Sequence, residues 1–437
     1  MGVTSLQESA LFGYFGFAKN QIKPMSKSSH FSGQPLYGQV IKLLDKSKIL
    51  QISRDNGGES YVKRFNVWIH LVVMLYGVIM RFDSLREITT SLLAETRKLA
   101  HLGITFKIGR STLADANKRR PESIFEAIYR DLYATYRHVL SSDSRSRRTP
   151  KWMDRLQIID STTITLFSNL LFKGVGRHPK TGRKKGGIKA HTVIHANEGV
   201  PSDIKFTSAA TNDSFMLKPA TLNKGDILAM DRAYIDYAKF QQLTERGVIY
   251  VTKMKKSLKF TILSDTMYQT ADGFMEVRIQ HVEFVKHVKG ADTIRHKARI
   301  ITYVDVNKRK LVSLLTNDME SDPAEIIAIY RQRWEIELLF KQIKQNFPLK
   351  YFYGESANAI KIQIWVTLIA NLLLMVLQKG LKRQWSFSGL ATMVRITLMY
   401  YVDFFSLFNN PEKEWEIMLS EASGGPPEPS LFDSGGL

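Results

Sequence analysis

One stretch in the last third of the chain constrains the fold most, because its pattern is that of a capped amphipathic helix. The segment SDPAEIIAIYRQRWEIELLFKQIKQNF starts with an N-cap residue, Asp322, and with Pro323 at the first helical position. At about 100° per residue, five functional side chains share an arc of about 80°: Tyr330, Arg333, Glu337, Lys341 and Lys344. Another face carries the apolar residues Ile336, Leu339 and Ile343. We therefore predict one helix over residues 322–344, with its apolar face buried.

The charged face of this helix has two interpretations. In the simpler one it is a solvated surface, on which Glu337 forms i,i+4 pairs with Arg333 and Lys341. Spacing alone favours that interpretation, since charged helix faces are common. In the other interpretation, Glu337 contributes to a functional cluster. The choice between the two depends on residues elsewhere in the chain.

Two aspartates at predicted strands change the balance. Asp160 lies within the apolar segment IIDSTT, and Asp231 ends the short strand of ILAMDRAY. A carboxylate there is costly unless it is compensated, and a divalent metal compensates it well. One such aspartate is more often structural, and Arg232 is a ready partner for Asp231. Two of them with Glu337, however, would form a three-carboxylate site for Mg²⁺ or Mn²⁺.

The charge balance indicates what such a site acts on. The chain has 62 Lys+Arg against 41 Asp+Glu, a formal net charge of +21, which favours a polyanionic partner. Basicity for solubility and binding to membrane surfaces are the alternatives. Two metal ions about 4 Å apart can activate a nucleophile and stabilise a leaving oxygen. Together these features suggest metal-assisted phosphoryl transfer on nucleic acid, with basic residues beside Glu337 holding the phosphate.

Other classes are excluded by composition. The chain has no cysteine, which rules out disulfides, thiolate zinc sites and cysteine nucleophiles, and which fits a reducing, cytoplasmic setting. Two apolar runs, 65–80 and 364–377, are shorter than the roughly 20 residues that span a bilayer, so we predict buried core helices and no membrane partner. The N-terminus lacks the pattern of a secretory signal, and Met25 is an alternative start to Met1.

The pattern along the chain predicts an α/β protein with several parts. Residues 1–35 are expected to be disordered or a non-native start, and residues 36–145 a helical DNA-binding domain. A polar linker at 141–151 leads to strands and a strand-helix-strand unit, typical of an α/β layer. The catalytic domain is predicted at 146–253 and 319–405, interrupted by a β-rich insertion at 254–318. Residues 406–437 are predicted to form a tail, disordered from 421 on.

Two segments outside the helix are further candidates for DNA contact. In the helical domain, a helix-turn-helix interpretation places five residues of a short helix near DNA: Ser111, Thr112, Asp115, Asn117 and Lys118. Ser111 or Thr112 would cap that helix, and a structural helix pair is an equally good alternative. The basic, glycine-rich loop 173–189 includes Lys184, Lys185 and Lys189 and is either a phosphate contact or a disordered loop. His191 is either near the site or an ordinary hydrogen-bonded histidine, and Trp334 and Trp365 are predicted to be core residues.

The helix also resembles a known family. Tyr330, Arg333, Glu337 and Lys344 match without a gap the YREK signature of bacterial transposases of the insertion-sequence-four family, to which the Tn-five and Tn-ten enzymes belong. The motifs IIDSTT and MDRAY agree at the two aspartate positions. Asp231 and Glu337 are 106 positions apart (337 − 231), as expected if the family's β-strand insertion precedes the last catalytic helix.

This resemblance implies a fold and a mechanism. The fold would be RNase H-like, a mixed sheet with flanking helices. Asp160, Asp231 and Glu337 would bind two Mg²⁺ ions, and the transposon-end phosphate would be held by Tyr330, Arg333 and Lys344, assisted by Lys341. Water would nick one strand and the freed 3′-hydroxyl would attack the other, forming a hairpin in related enzymes. The expected partners are terminal inverted repeats and target DNA, bound by a homodimer.

Several points stay open at this level. The relatives hold a flipped base with an aromatic residue of the insertion, and four are candidates here: Phe260, Tyr268, Phe274 and Phe284. A structure-selective nuclease on the same fold and a non-catalytic DNA-binding derivative are alternatives to an active transposase. Retention of all three carboxylates argues against the non-catalytic alternative.

Overall fold

The computed structural model describes residues 33–60, 62–141, 150–165, 187–209, 211–269, 276–287, 293–305 and 309–423. The chain divides into two compact units, residues 1–132 with 346–437 and residues 133–345. The predicted disordered start therefore lies almost wholly outside the described residues. The first unit also includes residues 346–405, so the predicted assignment of that segment to the catalytic domain stays a prediction.

The second unit is built on one sheet of nine strands. The strands are β1 (Leu156–Thr165), β2 (Gly187–His195), β3 (Pro201–Ser208), β4 (Ile227–Met230), β5 (Ile249–Lys253), β6 (Thr261–Gln269), β7 (Glu276–Lys286), β8 (Ile294–Asp305) and β9 (Lys310–Thr316). Their order is β3-β2-β1-β4-β5-β9-β8-β7-β6. β4 runs parallel to both β1 and β5, and the other pairs are antiparallel, so the sheet is mixed.

The parallel centre of this sheet is the most buried part. All four residues of β4 are buried, as expected for a short apolar strand with neighbours on both sides. A helix at Tyr237–Glu245 packs on β5 and β8 through Phe240 and Leu243. The strands and the helix predicted between residues 156 and 253 are present, and so are the four predicted strands of 254–318, which continue the same sheet as β6 to β9.

The prediction of one unbroken helix over 322–344 was wrong at a single residue. Two helices occupy the segment, at Pro323–Gln332 and Trp334–Asn346, and Arg333 forms a turn between them. Arg333 keeps right-handed helical dihedrals, φ −53° and ψ −25°, so the side-chain periodicity continues across the break. Asp322 caps the first helix by accepting a hydrogen bond from the Ala324 amide. Ile336, Leu339 and Ile343 are buried, as predicted.

Numbered along the chain, the helices are α1 (Leu36–Ile41), α2 (Lys46–Asp55), α3 (Val67–Met80), α4 (Leu85–Ala94), α5 (Thr96–Leu99), α6 (Arg110–Arg119), α7 (Glu122–Ser141), α8 (Tyr237–Glu245), α9 (Pro323–Gln332), α10 (Trp334–Asn346), α11 (Ala357–Lys379), α12 (Phe387–Thr397), α13 (Phe404–Asn409) and α14 (Pro411–Ser423). The first unit is thus helical, as predicted for 36–145. Helices also occupy most of 406–423, within the predicted tail. The remaining tail, 424–437, lies outside the described residues.

The two apolar runs form α3 and part of α11, and both are core helices. In the part of the chain that the structure describes, α11 is the one helix long and apolar enough to cross a membrane, and 89% of its most apolar window is buried. α3 reaches that length only together with α4, and the two helices are bent by 98° to each other. Burial of this kind is typical of core helices. Trp365 on α11 is buried, as predicted.

For one residue of the short helix, Asn117, the interpretation as a DNA contact was wrong. Asn117 on α6 is buried, and its side-chain oxygen lies 2.7 Å from His70 Nε2. It is therefore a core residue that faces α3. The helix is preceded by Gly109 without a side-chain cap, so Ser111 and Thr112 lie inside it and do not cap it. Both are exposed, as are Asp115 and Lys118.

Candidate active site

The two aspartates come together because of the register between β1 and β4. These parallel strands pair from Leu156 with Ile227 to Ile159 with Met230, the last residue of β4. Asp160 and Asp231 each follow that last pair, so they lie side by side where the shorter strand ends. The Asp231 side chain also accepts a hydrogen bond from the Ala233 amide at 3.0 Å, which fixes the turn after β4. Chain topology thus places two carboxylates at one edge of the buried centre.

Glu337 joins them through Arg333. One guanidinium nitrogen of Arg333 lies 2.6 Å from Glu337 Oε1, and the other lies 3.4 Å from Asp160 Oδ2. Arg333 has a side-chain exposure of 14%, so this is a largely buried bridge. The predicted i,i+4 pair of Arg333 with Glu337 is present. Arg333 also contacts Asp160 on β1, and the interpretation as a solvated face does not explain this second contact.

The surroundings of Asp160 disfavour the ionised form of its carboxyl group. Burial is the main cause that raises the pKa of Asp160 from 3.8 to about 6, and the negative charges of Asp231 and Glu337 contribute to the same rise. The Ser161 amide, which donates to Asp160 Oδ1 at 2.7 Å, and the Arg333 guanidinium act in the opposite direction. A shift in this direction at three converging carboxylates is a frequent property of functional sites.

The remaining residues of the helical arc surround this cluster. Tyr330 is half-buried, with its ring centroid 5.7 Å from the Arg333 guanidinium carbon. Lys344 Nζ donates to Thr162 Oγ1 at 2.6 Å and lies 3.3 Å from the Thr163 carbonyl, which ties α10 to β1. Lys341 is exposed and, among the described residues, makes no ion pair. Its positive charge is the most accessible one of the arc, since Lys344 is hydrogen-bonded to β1 and Arg333 is largely buried.

A second group of residues beside Asp160 joins the predicted candidates Lys189 and His191 to Asp213 and Ser161, which were not predicted. Asp213, in a one-turn 3-10 helix after β3, accepts a hydrogen bond from Ser161 Oγ at 2.6 Å. The same oxygen, Oδ1, lies 3.3 Å from Lys189 Nζ and 3.5 Å from His191 Nδ1. The only hint in the sequence was the polar segment TNDSF, which does not show what it contacts.

The two candidates on β2, Lys189 and His191, are both internal. Lys189 Nζ also donates to the Thr211 carbonyl at 2.9 Å, and its side chain is mostly buried. His191 is buried, with Nε2 2.7 Å from Thr207 Oγ1, and burial lowers its pKa. His191 is therefore hydrogen-bonded and near the site, so both interpretations of it hold together.

The carboxylate oxygens are suitable ligands for a hard divalent cation. Arg333 supplies positive charge between two of these carboxylates in this structure. Three carboxylates offer only oxygen ligands, the set preferred by Mg²⁺ and Mn²⁺. Among the described residues, no group of three or more Asp, Glu or His side chains has a metal-holding geometry. Instead, the Arg333 guanidinium lies between Asp160 and Glu337. A metal ion would replace the positive charge that Arg333 supplies.

Other predicted candidates fall in different places. Lys184 and Lys185 lie outside the described residues, as does Phe274. Trp334 was predicted to be a core residue and this was wrong, because it is 53% exposed on α10. Among the insertion aromatics, Phe284 is fully buried, whereas Phe260 and Tyr268 are partly exposed.

Comparison with known proteins agrees with this chemistry. Residues 151–373 match the family described as "Transposase DDE domain", and residues 32–105 match a "Domain of unknown function (DUF4372)". "Putative transposase y4zB" of Sinorhizobium fredii is 30% identical over 61% of this chain and 71% of its own length. "Probable transposase for insertion sequence element IS5377" of Geobacillus stearothermophilus is 25% identical over 65% of this chain and 72% of its own length.

Among solved structures, a piggyBac transposase synaptic complex with hairpin DNA has a TM-score of 0.43 and 11% sequence identity, over 92% of this chain and 88% of that chain. The family match covers half of the chain, including Asp160, Asp231 and Glu337. Enzymes of this family cleave DNA, transfer its strands and depend on divalent metal ions. The chain belongs to the transposases that carry a DDE domain.

Proposed function

We propose that Asp160, Asp231 and Glu337 are the catalytic carboxylates of a cut-and-paste transposase, which excises an insertion sequence at its terminal inverted repeats and joins it to target DNA. The observation that carries this proposal is the convergence of the three residues on one partly buried site. They come from two adjacent strands and a helix. Burial raises the pKa of Asp160 and the charges of Asp231 and Glu337 add to the rise, so the site favours cations.

The three carboxylates would hold two Mg²⁺ ions, with Mn²⁺ as a substitute. When bound, such ions lower the pKa of a water nucleophile and stabilise the charge of the leaving oxygen. Glu337 and Asp160 would release Arg333 on loading, because the same oxygens serve both partners. Arg333 would then be free for a phosphate, which its planar fork contacts with two hydrogen bonds.

The other residues of the arc position the DNA. Tyr330 and Arg333 lie together beside Glu337, and we assign them to the phosphate near the transposon end. Lys341 offers its ammonium group to the DNA backbone. Lys344 holds β1 beside Asp160 through Thr162, and we assign it to the DNA strand that carries the transposon-end phosphate. Lys184 and Lys185 stay predicted DNA contacts. For Lys189, the ion pair with Asp213 favours a structural task.

The finer assignments follow from the sequence resemblance. We assign the chain to the insertion-sequence-four family with the YREK residues Tyr330, Arg333, Glu337 and Lys344, and its core to the RNase H-like fold. A homodimer that pairs two transposon ends, with a hairpin intermediate, belongs to the same proposal. So does a location in the bacterial cytoplasm, at the nucleoid.

The test uses the purified protein and a DNA fragment that contains the gene with its native flanks. With Mg²⁺ we expect cleavage at fixed positions on both sides of the gene and, with added plasmid, joined products. Asp160→Asn, Asp231→Asn and Glu337→Gln each remove one negative charge at nearly constant shape, so each should reduce cleavage by at least about 1,000-fold.

Asp265→Asn is the matched control, because it neutralises an aspartate on β6, away from the site. Normal cleavage by the three site variants would refute the assignment. Cleavage without any joined product would instead favour a nuclease on the same fold.

A further inference from the structure

Asp213 is the point on which three side chains of two strands converge. A single oxygen, Oδ1, lies 2.6 Å from Ser161 Oγ, 3.3 Å from Lys189 Nζ and 3.5 Å from His191 Nδ1. None of these groups is more than partly exposed, and His191 is fully buried. Hydrogen bonds to a carboxylate in such surroundings are stronger and more directional than those at a surface.

The strand that carries Asp160 needs such support at this position. β1 pairs with β4 only as far as Ile159, and from Asp160 onwards it has β2 as its one strand neighbour. A segment with a ladder on one side only has less restraint than one in the middle of a sheet. Catalytic groups, however, must be held within about 0.5 Å of their working geometry.

Asp213 acts from the opposite side of this segment. Strand side chains alternate between faces, so Ser161 points away from the face that carries Asp160 and Thr162. His191 is the cross-strand partner of Ser161, and Lys189 is the partner of Thr163, on the same face. Asp213 therefore contacts one residue of β1, Ser161, and two residues of β2 on that face, while Lys344 fixes the other face through Thr162.

The link to the catalytic carboxylate is short. Ser161 donates its hydroxyl to Asp213 and its backbone amide to Asp160 Oδ1, at 2.7 Å. The amide bond stabilises the charged form of Asp160 and fixes one of its oxygens. Burial raises the pKa of Tyr234, and the negative charges of Asp213 and Asp160 both add to this effect.

We propose that Asp213 is a positioning residue for Asp160: it clamps the unsupported segment of β1 through Ser161, and it engages Lys189 and His191 to do so. This inference rests on the proposed catalytic role of Asp160. It assigns the Lys189 ammonium to the interior of the protein, where its charge is offset by Asp213. Groups that orient a metal ligand typically change metal affinity or activity by about 10- to 100-fold when they are replaced.

The test compares Asp213→Asn, Ser161→Ala and Ser161→Thr with the wild-type protein and with Asp265→Asn. Three quantities are measured for each: the cleavage rate at saturating DNA as a function of Mn²⁺ concentration, DNA affinity without metal, and Mn²⁺ binding without DNA by electron paramagnetic resonance. We expect Asp213→Asn and Ser161→Ala to weaken Mn²⁺ binding and slow cleavage by about 10- to 100-fold. DNA affinity should not change.

Ser161→Thr keeps the hydroxyl and is β-branched, as strands prefer, so it should retain cleavage. The double variant Asp213→Asn with Ser161→Ala should lose little more than either single variant, because both remove the same contact. Unchanged Mn²⁺ binding in Asp213→Asn would overturn the proposal. Equal losses of Mn²⁺ binding, DNA affinity and melting temperature would also overturn it, since they indicate general unfolding.

Failure of this inference is distinct from failure of the proposed function. If Asp160→Asn abolishes Mn²⁺ binding and cleavage whereas Asp213→Asn changes neither, the catalytic assignment holds and the positioning role is wrong. If Asp160→Asn itself leaves both intact, the catalytic assignment is wrong and the positioning role falls with it.

Discussion

Two regions of the nine-stranded sheet contain the same kind of ion pair in different surroundings. Near β1 and β4, Arg333 bridges Asp160 and Glu337, with side-chain exposures of 14% for Arg333 and 18% for Asp160. At the edge of the sheet formed by β6, Arg278 on β7 pairs with Asp265 on β6, with exposures of 52% and 34%. The exposed pair has water as an alternative partner for each charge, whereas in the bridge Arg333 and Asp160 are mostly shielded from water and only Glu337, at 35%, is comparably accessible.

This difference distinguishes an ion pair at a functional site from an ion pair at the surface. A buried charge that loses its partner is strongly destabilised, while an exposed pair contributes little. Two acidic groups bridged by one arginine, with Asp231 beside them, also form an arrangement that a stronger cation can disrupt. The edge pair has one acid for one base and offers nothing to a metal ion.

The comparison is tested most strongly by removing each arginine. Arg333→Ala should reduce cleavage by about 100-fold or more, because it removes a phosphate contact beside the reacting group. Arg333→Lys should recover only part of this loss, since a point charge cannot form the two-bond fork. Arg278→Ala should cleave at the wild-type rate. Cleavage assays under single-turnover conditions would measure all three, and equal effects of the two alanine variants would erase the distinction.

A second prediction concerns stability without metal. Burial and neighbouring charges raise the pKa of Asp160 to about 6, against 3.8 when it is unperturbed. The folded protein therefore binds the Asp160 proton more tightly than the unfolded chain, and its stability falls as pH rises from about 4 to about 6. Asp160→Asn removes this cost and should raise the free energy of unfolding at pH 7.5, in chelator, by on the order of 2 kcal/mol.

The gain should disappear near pH 3.5, where Asp160 is protonated in both states. Urea titrations at the two pH values measure it. Asp265→Asn serves as the control and should show no such gain at pH 7.5. A destabilised Asp160→Asn variant at pH 7.5 would contradict the inferred electrostatics.

A third, smaller effect concerns the salt dependence of DNA binding. Lys341 is unpaired beside the site, so Lys341→Gln should reduce the slope of log affinity against log salt by about 1. Lys297, an exposed residue of β8, gives the matched substitution in the edge region and should leave the slope unchanged. Lys189→Gln should also leave it unchanged, because Asp213 offsets that charge. Fluorescence anisotropy in chelator, at several salt concentrations, decides among them.

The smallest effect is expected at the edge pair itself. Asp265→Asn breaks an exposed contact with Arg278, and its melting temperature should match that of the wild type within error. Differential scanning calorimetry measures this directly. A clear loss of stability would mean that the exposed pair matters more than its surroundings indicate.

Sequence reasoning succeeded where local pattern controls the structure. The strands bearing Asp160 and Asp231 and the helix bearing Glu337 were predicted from alternation, strand ends and helical periodicity, and all three elements are present. The turn at Arg333 was missed because periodicity does not register a single residue that keeps helical dihedrals.

Long-range contacts explain the other failures. Asn117 was assigned to DNA because its partner, His70, lies 47 positions away. Asp213 was missed for the same reason, since its contact with Ser161 spans 52 positions. Trp334 was assigned to the core because its size suggested burial, yet it lies on the exposed side of its helix. Local sequence contains none of this information.

The pairing of Ile159 with Met230 has a consequence for the newly made protein. The two aspartates lie 71 positions apart in the chain (231 − 160) although their strands are direct neighbours, and Glu337 is synthesised 106 residues after Asp231. Contacts this distant in sequence close late in folding. A ribosome-bound fragment that ends before residue 337 lacks one of the three acids. With the three acids in their proposed roles, the chain can therefore cut the DNA that encodes it only after Glu337 has been synthesised.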